Sequence, residues 1–76
     1  MAFDYSELKG RIKAKFGTQQ AFAEAMGLNN TTLSLKINGK SEWTNGEIGT
    51  ACVLLKIPIK EIPIYFFNLD VPKMEH

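Results

Sequence analysis

Cysteine and histidine, which often serve as nucleophile, base or metal ligand, are scarce in this sequence and stand apart from one another. The chain contains one cysteine, Cys52, and one histidine, His76. A catalytic nucleophile needs a neighbouring base and a metal site needs several converging ligands, so neither chemistry has a suitable set of residues. A glycine-rich phosphate loop is absent, and 76 residues leave little room for a substrate pocket. We therefore expect a protein that is not an enzyme and that needs no cofactor, metal or small-molecule substrate.

The distribution of charge indicates a binding function, because positive side chains are concentrated in one part of the chain. The net charge is only +1. Residues 9–40, however, contain six Lys and Arg side chains against one carboxylate, Glu24, which gives this segment a charge of +5. Such a distribution is typical of a nucleic-acid-binding surface. The solvated face of a first helix explains four of the six cations equally well.

The elements that would position these residues are short helices. Leu8, Ile12 and Phe16 repeat every four residues, which predicts a first helix over roughly residues 5–15. Cap residues and apolar spacing predict further helices near residues 18–27, 30–38 and 44–57, and a short helix or turn near residues 59–67. We therefore expect an all-α fold, in which residues 1–76 form one compact domain of four to five helices.

The starts of these helices are marked by side chains that can cap free backbone N–H groups. The candidates are Asp4 in a capping box with Glu7, Thr18, either Asn29 or Asn30, and Thr44 in a capping box with Glu47. Gly17 and Gly27 mark the ends of the first and second helices, because glycine readily adopts the left-handed conformation found after a helix.

The second and third helices are joined by only three residues, Gly27-Leu28-Asn29. A turn this short forces the two helices to cross steeply, so that one braces while the other projects. Ala23 lies where they approach most closely, and a larger side chain there would separate them. Leu33 can anchor the third helix to the core.

The run QQAFAEAMGLNNTTLSLKINGKS resembles the lambda and 434 repressor–Cro family and XRE-like helix-turn-helix regulators in general. The matching features are Gln19, Ala23, Gly27, Leu33 and the Asn38-Gly39-Lys40 exit. The resemblance covers most of residues 6–67 and places a helix-turn-helix at residues 18–38. Short temperate-phage proteins look most similar, either Cro-like repressors or modulators of the phage repressor. The resemblance implies that the third helix enters the major groove of double-stranded DNA.

Two sets of DNA contacts are implied by this resemblance. Base edges would be contacted by Asn29, Asn30, Thr31, Thr32, Ser34 and Leu35. Phosphates would be contacted by Gln19, Lys36, Asn38 and Lys40. An Asn amide can pair with adenine, and a Thr methyl group or a Leu can contact the thymine methyl group. The third helix contains no arginine, so a guanine-reading fork is not expected there.

Several of these positions have a second interpretation. Asn29 and Asn30 serve equally well as helix caps, which is compatible with base contact. Leu35 contacts a base or a protein if it is exposed, and it belongs to the core if the helix is rotated. Lys36 stands where the family has an apolar residue. Either its stem lies along the core, or Ile37 packs there in a rotated helix, which would shift the base contacts by one position.

The C-terminal segment 57–71 holds more apolar surface than a domain this small is expected to bury alone. We expect Ile62, Tyr65 and Phe66 to close the core. Candidates for a protein interface are Ile64, Tyr65, Phe67, Leu69 and Val71. The surplus could seal a homodimer, as a two-fold operator requires, or it could seat another protein such as a phage repressor.

The function predicted from these features is that of a phage-type transcriptional regulator which binds operator DNA as a Cro-like repressor dimer. The alternative is a modulator or antirepressor that binds the phage repressor protein. A lone Cys52 cannot form an internal disulfide, and no apolar run approaches the length of a membrane span. We therefore expect the protein in the cytoplasm of the bacterial host.

Overall fold

The structure is a computed structural model that describes residues 3–68. Over these residues the chain forms a 3-10 helix and five α-helices. In chain order they are α1 (Ser6–Phe16), α2 (Gln19–Met26), α3 (Asn30–Ile37), α4 (Asn45–Leu55), the 3-10 helix (Ile59–Glu61) and α5 (Ile62–Phe66). The predicted all-α class is confirmed. None of the helices in this range combines the length and apolar character needed to cross a membrane.

The start of α1 differs from the prediction. Asp4 Oδ1 accepts hydrogen bonds from the Ser6 hydroxyl at 2.6 Å and from the Ser6 N–H at 2.9 Å. These bonds lower the pKa of Asp4 below its ordinary value. The residue that precedes the helix, Tyr5, makes no side-chain cap hydrogen bond. The predicted capping box between Asp4 and Glu7 is therefore wrong, because the chain turns into the helix at Ser6.

The caps of α2 and α3 agree with the sequence. Thr18 Oγ1 accepts a hydrogen bond from the backbone N–H three residues later at 3.1 Å, and Asn29 Oδ1 does the same for α3 at 2.7 Å. Gly27 ends α2 with a φ of +78°, in the left-handed region that favours glycine. The chain can therefore reverse between the two helices within three residues.

The capping box predicted at the start of α4 is present. Thr44 Oγ1 accepts from the Glu47 N–H at 3.1 Å, and Glu47 Oε1 accepts from the Thr44 N–H at 2.9 Å. At the other end, the Arg11 guanidinium donates to the carbonyl oxygens of Leu55 and Lys56, both at 2.9 Å. Lys56 adopts a left-handed conformation with a φ of +57°. The helix therefore ends at Leu55, shorter than the predicted end near residue 57.

One hydrophobic core holds these helices together. Its largest fully buried side chains are Leu8, Phe22, Leu33, Leu55 and Phe66. Each α-helix contributes one of them, so all five are anchored to the same cluster. Ile62 and Tyr65 are partly buried and pack against this cluster. The predicted core-closing role of Ile62, Tyr65 and Phe66 is thereby confirmed.

Candidate DNA- and protein-binding surfaces

The first turn of α3 presents polar side chains to solvent. Asn30 and Thr31 are exposed, and Thr32 is half-buried beside them. Gln19 Nε2 donates a hydrogen bond to Asn30 Oδ1 at 3.4 Å, so that the first residue of α2 braces the first residue of α3. Exposed amide and hydroxyl groups are the chemistry that contact with base edges requires.

The other candidate base-contact residues have more varied surroundings. Asn29 is exposed, but its side-chain oxygen is the cap of α3. Ser34 is half-buried. Leu35 is 43% exposed, so it is not a core residue. Contact between these side chains and DNA stays a prediction.

The assignment of Lys36 to a DNA phosphate is wrong, because this side chain is buried. Lys36 is only 6% exposed, and its ammonium lies 2.9 Å from Glu47 Oε1. The ammonium also donates to the Glu42 carbonyl oxygen at 2.8 Å. Ile37 is buried as well. With Lys36 and Ile37 inward and Leu35 outward, α3 does not adopt the rotated position that would have buried Leu35.

The ion pair between Lys36 and Glu47 joins α3 to the start of α4. Glu47 Oε1 accepts the Thr44 N–H and also lies beside the Lys36 ammonium. The hydrogen bond from Thr44 is the largest cause that lowers the pKa of Glu47, and Lys36 adds to it, whereas burial acts in the opposite direction. Hydrogen bonds on both partners offset the cost of removing the two charges from water. Lys36 is therefore a structural cation.

Of the other predicted phosphate contacts, Gln19 begins α2, and Asn38 and Lys40 follow the end of α3. Lys40 and Asn38 are both exposed. Asn38 is also held within the fold, because Nδ2 donates to the Ser34 carbonyl at 2.8 Å and Oδ1 accepts from Lys9 Nζ at 3.0 Å. Arg11 is engaged at the end of α4. The cations of residues 9–40 that remain exposed are Lys9, Lys13, Lys15 and Lys40.

A separate surface contains an aromatic cleft of about 390 Å³. It is lined by Phe3, Tyr5, Gly39, Ser41, Glu42, Trp43, Ile48, Phe66 and Phe67. Trp43 meets Phe66 edge-on with ring centroids 5.1 Å apart, and Phe3 meets Phe67 in the same way at 5.7 Å. Trp43 Nε1 is buried and has no hydrogen-bond partner among residues 3–68. The walls of the cleft are thus largely aromatic.

Among the predicted protein-interface residues, Phe67 lines this cleft, and Ile64 and Tyr65 precede it in the chain. Ile64 and Phe67 are about half exposed, whereas Tyr65 is half-buried against the core. Leu69 and Val71 lie outside the described residues. Of the three candidates that the structure describes, Ile64 and Phe67 therefore offer substantial apolar surface to solvent.

Phe3 is a surface residue that was not among the predicted interface positions. It is 38% exposed and packs on Phe67, and the backbone N–H of Asp4 donates to the Asn68 carbonyl at 2.6 Å. These interactions bring the two ends of the described chain together. No local pattern around Phe3 indicates a partner more than 60 residues away, so this pairing had no signal in the sequence.

Known proteins provide an independent comparison for this arrangement. Residues 1–69 match the family described as "Protein of unknown function (DUF739)". The chain belongs to the DUF739 family. A solved structure similar to this DUF739 protein is that of the modulator of repression (MOR) of the temperate bacteriophage TP901-1 from Lactococcus lactis, determined in solution. The two are 50% identical with a TM-score of 0.78, over 90% of this chain and 92% of the MOR chain. No curated protein matches the sequence.

The similarity to MOR agrees with a small all-helical fold. Neither the DUF739 description nor the description of the MOR structure mentions the lambda and 434 repressor–Cro family. Membership of this DUF739 protein in that family stays a prediction.

Proposed function

We propose that this DUF739 protein is a phage regulator that modulates repression by binding a phage repressor protein. The observation that carries the proposal is its 50% identity to MOR, which extends over 90% of one chain and 92% of the other. The match is not confined to the helix-turn-helix segment. It therefore favours a shared role over a shared fold alone, and it favours the modulator hypothesis over the Cro-like repressor.

The exposed apolar side chains suit a protein partner. Phe3 and Phe67 pack edge to face while both remain substantially exposed, and Ile64 lies one helical turn before Phe67. We call these three residues the apolar face. Aromatic side chains are enriched in protein interfaces, where a few of them supply most of the binding energy. The adjoining aromatic cleft, of about 390 Å³, has room for a partner side chain.

Binding to operator DNA as a Cro-like repressor dimer is the second candidate. It is favoured by the exposed Asn30 and Thr31 at the start of α3 and by the hydrogen bond from Gln19 that braces them. The burial of Lys36 and the engagement of Arg11 remove two cations from the surface available to DNA. This reduction in free positive charge favours the protein partner. In both hypotheses the protein is a cytoplasmic, non-enzymatic regulator.

A calorimetric titration tests the proposal directly. The partner is the repressor encoded in the same phage or prophage genome, and we expect a saturable complex with the unmodified protein. Phe67→Asp should weaken it at least tenfold, or about 1.4 kcal/mol, because a carboxylate would be buried against the repressor. Val53→Asp is the matched control, since Val53 is 77% exposed on α4 and lines neither of the two main clefts. Absence of a complex, or equal weakening in both variants, would contradict the proposal.

Electrophoretic mobility shifts separate the two candidates. The probe is the DNA that flanks the gene, and the protein is added alone or together with the repressor. A modulator changes the shift produced by the repressor and gives no sequence-specific shift by itself. A sequence-specific shift by the protein alone, without a repressor complex in calorimetry, would support the Cro-like hypothesis instead.

A further inference from the structure

A second cleft, of about 230 Å³, lies between α1, the start of α2 and the end of α3. It is lined by Lys9, Ile12, Lys13, Gly17, Gln19 and Ile37, and we call it the basic cleft. Ile12 and Ile37 are buried core residues, so the groups available to a ligand are the lysine and glutamine side chains. At about 30 Å³ per water, the cleft has room for a phosphate group with several waters.

The chemistry of the basic cleft is that of an anion site. Lys9 and Lys13 are four residues apart, on the same face of α1, and both are exposed. None of the lining residues is acidic. Lys9 gives one hydrogen bond to Asn38, but an ammonium group has three donors, so two remain for a ligand. Gln19 adds a neutral amide to the lining.

The neighbourhood of the cleft indicates which anion it fits. Gln19 lines the cleft and also donates to Asn30 Oδ1, so the cleft adjoins the exposed polar turn of α3. A protein interface needs apolar anchors, and the apolar residues of this cleft are already buried. Cations beside exposed amides and hydroxyls instead match a polymer that displays phosphates next to base edges.

We infer that the basic cleft is a phosphate site for the backbone of double-stranded DNA, with Lys9 and Lys13 as its cationic groups. The site adds two residues to those expected to contact DNA, and together with Lys40 it supplies the positive charge near α3 that the buried Lys36 does not supply. It goes beyond repressor binding and does not depend on it, because the basic cleft and the aromatic cleft have no lining residue in common.

The test measures fluorescence anisotropy of a fluorescein-labelled DNA duplex of mixed sequence, at salt concentrations from about 50 to 200 mM. The Lys9→Gln, Lys13→Gln double variant removes both cations, and glutamine retains a donor for Asn38. The matched control is the Lys15→Gln, Lys60→Gln double variant, which removes the same charge at exposed positions outside the cleft. Circular dichroism melting curves establish that both variants are folded.

We expect the unmodified protein to bind the duplex at low salt. The cleft variant should bind at least about tenfold more weakly there. The slope of log affinity against log salt is negative, and in this variant its magnitude should decrease by about 2, since each phosphate that is no longer neutralised removes about 0.9 from it. The control variant should change the slope by less than about 0.5. The single Lys13→Gln variant should change it by about 1, which repeats the test if the double variant is unstable.

Several results would overturn the inference. One is an absence of binding by the unmodified protein, and another is unchanged binding by the cleft variant. A third is equal weakening in the two double variants, which would indicate that diffuse charge binds the DNA instead of a site. The same variants are titrated with the repressor. If the cleft variant keeps its DNA affinity but no longer binds the repressor, the cleft holds an acidic protein surface and the inference is wrong, although repressor binding would stand.

Discussion

At the scale of single residues, Lys36 holds α3 in its orientation against the start of α4. Its stem occupies a position among core residues, and its ammonium reaches Glu47 Oε1 and the Glu42 carbonyl. Lysine can do both because a long apolar stem carries the charge to the edge of the core. The same carboxylate caps α4 through Thr44. One ion pair thus links the helix that carries the polar turn to the helix behind it.

We predict that the two partners of this pair are not equivalent. Glu47→Gln should destabilise the fold by about 2–3 kcal/mol, because it leaves a buried ammonium without its counter-charge. Lys36→Met should cost less, about 1 kcal/mol, since methionine fills a similar volume and leaves a carboxylate that is still hydrogen-bonded to Thr44. Urea unfolding curves followed by circular dichroism measure both values.

The double variant completes the test of the pair. If Lys36 and Glu47 stabilise each other, the destabilisation of the Lys36→Met, Glu47→Gln protein is smaller than the sum of the two single effects. Additive effects would mean that the ion pair does not couple α3 to α4, and that each side chain acts only through its own packing.

At the scale of the elements, the turn between α2 and α3 depends on backbone conformation. Gly27 takes a φ of +78° and ends α2, and Asn29 then caps α3 two residues later. A side chain at Gly27 would meet no atom within 4 Å, so space does not explain the glycine. The left-handed backbone does, because it disfavours any residue that carries a Cβ atom.

Two glycine substitutions should therefore have opposite effects. Gly27→Ala should lower the free energy of unfolding by about 1 kcal/mol. Gly10→Ala should raise it by about 0.5–1 kcal/mol, because Gly10 is exposed within α1 and alanine restricts the unfolded chain more than glycine does. Thermal and urea unfolding measure both. A neutral or stabilising Gly27→Ala would show that the turn does not need a left-handed residue.

At the scale of the whole molecule, α5 and the residue after it divide their side chains between the core and a surface. Phe66 is fully buried and packs on Trp43, whereas the next residue, Phe67, is about half exposed and packs on Phe3. Adjacent phenylalanines thus serve different purposes. The first closes the hydrophobic core, and the second contributes to the apolar face proposed to bind the repressor.

Leucine substitutions should separate these two purposes. Phe66→Leu should destabilise the protein by about 1–2 kcal/mol, because it leaves unfilled volume in the core. Phe67→Leu should change stability by no more than about 0.5 kcal/mol, yet it should weaken the repressor complex measured by calorimetry. If Phe67→Leu destabilises the fold as much as Phe66→Leu, then Phe67 belongs to the core and the proposed apolar face is without its main residue.

The sequence alone was sufficient for the features that depend on near neighbours in the chain. The caps at Thr18, Asn29 and Thr44 and the reversal at Gly27 are made by groups a few residues apart, so their spacing identifies them. The class of fold followed, because helices this short and this apolar on one face must pack together. The capping box predicted at Asp4 is the exception. The Asp4 carboxylate accepts hydrogen bonds from Ser6 instead of the Glu7 N–H, and only geometry selects between donors so close in the chain.

Tertiary structure decided which polar and aromatic side chains remain available to a partner. In the sequence Arg11 is one of the cations of the basic segment and Lys36 is a candidate phosphate contact. In the structure they are held by groups 44 and 11 residues away, respectively, that no local pattern indicates. The pairing of Phe3 with Phe67 and the meeting of Lys9, Lys13 and Gln19 around one cleft arise in the same way. Burial and charge compensation depend on how all the helices pack together. The side chains that remain exposed to a partner are therefore decided only when the core has formed.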